Sequence, residues 1–151
     1  DGTTEFFMTF EVYHPSGQLA IGRHDFPGTA SFQAPVYLSV YPFFGAHISC
    51  QGPNGVCLVT NDYERPDTSN LRPLEGELFL QYADGKITRL AHHRSSACGS
   101  WTQPRASLSR DGSYAIFASD WGRETGKNGC AVGDELGRGE AYILDLGNVL
   151  H

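Results

Sequence analysis

Apolar and polar positions alternate in short runs that are cut by glycine- and proline-marked turns, and no stretch sustains a helical period. Such runs predict strands. They fall at residues 3–12 (TTEFFMTFEV), 18–22 (QLAIG), 35–41 (PVYLSVY), 45–51 (GAHISCQ), 56–60 (VCLVT), 77–82 (ELFLQY), 86–90 (KITRL), 105–109 (RASLS), 113–119 (SYAIFAS) and 140–146 (EAYILDL). The run Tyr114, Ala115, Ile116, Phe117, Ala118 is unbroken, which predicts a strand covered on both faces. Turns are expected at 14–17 (HPSG), 52–55 (GPNG), 83–85 (ADG) and 109–112 (SRDG), where the closing glycine can take a positive φ. Polar loops are expected at 61–74 and 122–139.

The same pattern recurs. HPSG-QLAIG, GPNG-VCLVT and SRDG-SYAIF each read as a turn closed by glycine and then a short apolar strand. Each strand ends toward an acidic residue: Asp25, Asp62 and Asp120. Gly17 to Asp25 and Gly112 to Asp120 are eight apart, and Gly55 to Asp62 is seven. A further strand follows in each unit (PVYLSVY, GELFLQY, GEAYILDL), and the middle unit adds KITRL. The expected fold is therefore all-β. It is about three four-stranded antiparallel propeller blades in an incomplete ring, a single segment over 1–151 with blades near 3–42, 45–91 and 103–147. A β-sandwich whose hairpins look alike is the alternative.

The stretch WTQPRASLSRDGSYAIFASDWG, with EAYILDL downstream, resembles the blades of Tol-type and related bacterial propellers. PLEGELFLQYADGKITRLAHHRS resembles the outer half of such a blade running into the next. The resemblance covers about the last 80 residues, and the first 45 only through HPSGQLAIG. Propellers close with four to eight blades, so about three imply exposed blade faces and a protein partner, either identical copies or the remainder of the same propeller. The related propeller oligogalacturonate lyases hold a divalent metal with His and Gln side chains near a uronate substrate. The similarity implies His92, His93 and Gln103 as metal candidates, with Arg105 standing where another ligand would be more useful. Adjacent strand residues point to opposite faces, which sets His92 apart from His93. One of them packing under a blade and the other capping a loop is the plainer expectation.

Charge and cysteine count narrow the picture. The formal charge is −6 with no basic run, which disfavours nucleic acid. No apolar run approaches the ~20 residues of a membrane-spanning helix. The chain begins at Asp1, which reads as a mature or excised piece of a longer product. Four cysteines in no zinc spacing suggest the disulfides Cys50–Cys57, across a turn, and Cys98–Cys130, between loops. Two disulfides imply an extracytoplasmic location, secreted or periplasmic; four reduced thiols are the alternative.

Remaining chemistry is sparse. Tyr63, Trp101, Trp121 and Arg105 are candidate binding residues, the aromatic ones for sugar rings or for packing. The three strand-ending aspartates suit hydrogen bonds from backbone N–H groups. No nucleophile elbow, phosphate-binding loop or dinucleotide fingerprint is present, so no catalytic residue is assigned. The expected function is a non-catalytic binding or structural propeller segment without a cofactor. The alternatives are part of a metal-dependent uronate lyase, or a subunit of a self-assembled extracellular polymer.

Overall fold

The computed structural model describes residues 6–11, 14–26, 36–41, 46–53, 55–61, 71–95, 103–121, 139–147 and 149–150. These residues form ten strands and no helix: β1 (Phe6–Glu11), β2 (Leu19–Asp25), β3 (Val36–Tyr41), β4 (Ala46–Ser49), β5 (Val56–Asn61), β6 (Glu77–Tyr82), β7 (Ile87–His92), β8 (Ser107–Leu108), β9 (Tyr114–Ser119) and β10 (Glu140–Asp145). They make three open antiparallel sheets in chain order. The first is β1-β2-β3, the middle β4-β5-β6-β7 and the third β8-β9-β10. The extra strand of the middle sheet is β7 (ITRLAH), which overlaps the KITRL run that the sequence pattern marks and extends two residues beyond it.

The turn before β9 shows why these hairpins form. The Ser109 hydroxyl donates to Asp111 Oδ1 at 2.7 Å, and the Ser113 N–H donates to the same oxygen at 3.1 Å. Tyr114 N–H in turn donates to Ser109 Oγ at 3.0 Å. These bonds favour the ionised carboxylate, led by the Ser109 hydroxyl, and lower the Asp111 pKa to about 2. Gly112 closes the turn at φ +76°, and a Cβ there would strike Leu150 Cδ1 and sit 3.0 Å from Pro53 Cγ. Glycine is required here both by φ and by space.

Packing follows the two faces of β5 and β6. Cys57, Val59 and Phe79 point one way and join Met8 and Ile21 of the first sheet. Val56, Leu58, Leu78 and Leu80 point the other way and join Ala106, Leu108, Ala115, Phe117 and Leu146 of the third sheet and its flanks. Period-two alternation thus places the middle sheet between its two neighbours. The edge strand β4 touches β1 on one side and β8 on the other. Arg23 ties the first two sheets by donating to the Ala83 carbonyl at 2.7 Å.

The expectation for β9 is corrected. It is β5 that is buried along its whole length, whereas β9 alternates. Ala115, Phe117 and Ser119 are buried, while Tyr114 and Ile116 are exposed. An unbroken apolar run shows that both faces are apolar; it does not supply a layer to cover each of them.

Candidate functional site

The three sheets repeat one packing order, which emerges when positions are counted back from Asp25, Asp62 and Asp120. Four residues before each stand Ile21, Leu58 and Ile116. Leu58 lies between Ser49 and Leu80 in its ladder, and Ile116 between Ser107 and Ile143. Ile21 packs on the middle sheet, and Leu58 packs on the third. The facing surfaces carry the positions three and five before the same aspartates, Val59 and Cys57 in the middle sheet, Phe117 and Ala115 in the third. Each sheet therefore presents the same face to the next.

The third sheet breaks the series. Leu58 and Leu80 are both 0% exposed, while their equivalents Ile116 and Ile143 are 47% and 71% exposed. Tyr114 extends the patch at 50%, with Ala118 and Ala141 paired beside the isoleucines and Asp145 opposite Tyr114. This is a contiguous apolar surface on two paired strands, of the kind that marks an interaction site. The first sheet differs at its other face, where Ala20 and His24 are buried.

A second cluster lies on the edge strands. Arg105 donates through Nε and Nη2 to Gln103 Oε1, at 3.3 and 3.0 Å. His47 of β4 hydrogen-bonds Gln103, and its pKa is lowered, first by burial and then by the Arg105 charge. Nearby, the Ser49 and Ser107 hydroxyls lie 3.4 Å apart and Leu108 N–H donates to Ser49 Oγ at 3.3 Å. Sequence reasoning picked Gln103 and Arg105 and missed His47. No local motif links residues 47 and 103; only the contact of β4 with β8 does.

The paired histidines separate, as strand alternation expects. His92 is exposed, with Nε2 3.7 Å from Glu77 Oε1. Glu77 is buried and is held bidentately by Arg89, with the Nε–Oε2 bond at 2.6 Å. His93 is fully buried. Its Nε2–H donates to the Asn61 carbonyl at 2.9 Å, and its Nδ1 accepts the Ser95 N–H at 3.0 Å. Both ring nitrogens of His93 are engaged by backbone, while Gln103 keeps company with Arg105 and His47. This arrangement does not present His92, His93 and Gln103 as one set of free donors. Among the described residues no group of three or more His, Cys, Asp or Glu is placed to hold a metal ion.

Trp121 is 52% exposed at φ +55°, but its ring already has neighbours. Tyr142 lies against it at 5.1 Å and the Arg94 guanidinium stands over it at 5.7 Å. Tyr63 and Trp101 lie outside the described residues, as do Asp62, the 122–138 stretch, Cys98 and Cys130. Asp25 pairs with Arg23 at 2.9 Å, so its partner is a side chain instead of the expected backbone N–H. The Cys50–Cys57 disulfide is present, linking the end of β4 to β5 across the turn. That turn packs on the third sheet, with Gly52 against Leu108 and Pro53 over Gly112. Among the described residues no helix is long and apolar enough to cross a membrane. No protein-family profile, curated protein or solved structure matches the chain.

Proposed function

We propose that the chain is a non-catalytic structural and binding segment of an extracytoplasmic β-propeller scaffold, with its three sheets as blades and a protein partner on the open face of the third. The observation that carries this is the repeated face order. Leu58–Leu80 is covered by the next sheet, and the equivalent pair Ile116–Ile143 is bare. The row of edge strands β1, β4 and β8 is what the inner strands of successive blades would form. The Cys50–Cys57 disulfide suits an oxidising compartment.

The metal-dependent uronate lyase is favoured by one observation, the approach of His47 to Gln103 and Arg105. Purified protein decides between them. Elemental analysis for bound divalent metal and an ultraviolet assay for unsaturated product on pectic substrates should both be blank for a scaffold. Stoichiometric metal together with product formation would overturn it.

A further inference from the structure

We infer that Arg105, Gln103 and His47 form a binding site for the carboxylate group of a small-molecule ligand, on the seam where β4 meets the run leading into β8. The site goes beyond the scaffold reading and does not depend on what covers the third sheet. Residues 103–108 alternate in burial. Pro104, Ala106 and Leu108 are buried, so Gln103, Arg105 and Ser107 share the side that solvent reaches. Across the seam, His47 and Ser49 share one side of β4. His47 meets Gln103, and Ser49 meets Ser107. Two polar rows from different sheets thus face each other along a partly exposed seam.

The guanidinium is held ready and left without a counter-charge. Gln103 Oε1 accepts from both Nε and Nη2 of Arg105, which fixes the plane of the group through one of its edges. The edge formed by Nη1 and the remaining Nη2 N–H stays open, and two parallel N–H groups match the two oxygens of a carboxylate. Other arginines of the chain are held by carboxylates: Arg23 by Asp25, Arg72 by Glu75 and Arg89 by Glu77. Arg23 and Asp25 are two residues apart, as are Gln103 and Arg105, but here the partner is a neutral amide. Among the described residues no carboxylate pairs with Arg105. Among them, too, Arg105 is the one charged group that acts on His47. A chain with 17 acidic and 11 basic residues therefore keeps its own carboxylates away from this spot. One fixed positive charge matches a singly charged carboxylate, whereas a phosphate dianion calls for a second.

Binding is linked to the state of His47. Burial, and then the Arg105 charge, lower its pKa. A bound carboxylate favours the imidazolium form, so binding raises that pKa and tightens as pH falls. Gln103, Ser49 and Ser107 do not titrate in this range, and Arg105 stays charged throughout it.

Acetate titrated into the full chain with a chelator present, followed through the His47 ring and Arg105 Nε–H signals by NMR, tests this. The shifts should saturate with a Kd on the order of 10 mM at pH 7.5, and binding should be at least ~2-fold tighter at pH 5.5. Arg105→Gln should abolish saturation. Gln103→Glu places a carboxylate beside Arg105 and should weaken acetate binding at least ~10-fold. Both side chains lie on the solvent side, so the His93 ring signals should show an unchanged fold in each variant. Shifts that stay linear to about 0.2 M, or equal affinity in Arg105→Gln, overturn the inference. Inorganic phosphate that binds more tightly than acetate overturns the choice of carboxylate. Acetate binding that appears only when the chelator is omitted assigns the cluster to a metal and overturns it as well.

Discussion

His93 gives the sharpest prediction because its two hydrogen bonds demand one protonation state. Nδ1 must accept from Ser95 N–H, so the ring must be neutral. Burial is the largest cause of its lowered pKa, opposed by the bond to the Asn61 carbonyl and the Asp120 charge and assisted by His92; the result is about 4 against an ordinary 6.5. Unfolding restores the ordinary value. The contribution to stability is therefore complete above pH 6.5 and is lost as pH falls from 6.5 to about 4. A gap of about 2.5 units corresponds to about 3 kcal/mol. Urea unfolding at pH 7.5, 6.5, 5.5 and 4.5 measures this, with His93→Gln as the comparison. Glutamine cannot titrate, so the variant should be less stable at pH 7.5 by about 1–3 kcal/mol, from disturbed buried hydrogen bonds. The wild-type advantage should shrink steadily below pH 6.5. Subtracting the two curves removes the other histidines and the carboxylates. A wild-type advantage that stays constant across that range would refute the assignment of a neutral, doubly bonded ring.

Other outcomes follow from single contacts. Gly112→Ala should destabilise by about 1–3 kcal/mol, since φ is left-handed and Leu150 and Pro53 crowd the new methyl. Gly17→Ala, at similar φ but in open space, should lose only about 1 kcal/mol by the same chemical-denaturation assay. Reduction of Cys50–Cys57, or the double Cys→Ala variant, should remove about 2 kcal/mol, seen as a lower thermal midpoint. The Asp111 carboxylate should remain ionised down to about pH 2, followed as a carbon chemical-shift titration.

Strand positions and turns were legible because punctuation was strong. Glycines closing the turns at 17, 55, 85 and 112 all have positive φ, and the strands between them begin and end within a few residues of expectation. Cys50–Cys57 was legible for the same reason, since a short turn between antiparallel strands brings the two residues together. Face order was harder. The glycine-to-aspartate spacing of eight, seven and eight is visible in the chain, but only packing shows that equivalent faces align when counted from the aspartate. The exposure of Tyr114 and Ile116 was misjudged because composition cannot show whether a neighbouring layer exists. His47 went unnoticed because its cluster with Gln103 and Arg105 is made by β4 meeting β8, and sequence distance hides that contact. Gln103 and the histidine pair were singled out by type, but the engagement of both His93 nitrogens by backbone is a property of the folded chain alone.

The repeated face order is tested most directly by truncating two equivalent positions, Leu58→Ala in the middle sheet and Ile143→Ala in the third. Urea unfolding at a few micromolar protein compares them. Leu58 is enclosed between two sheets, so its truncation should remove about 2–5 kcal/mol. Ile143 faces solvent, so its truncation should change stability by no more than about 0.5 kcal/mol. Equal losses at the two positions would contradict a covered middle sheet and an open third one.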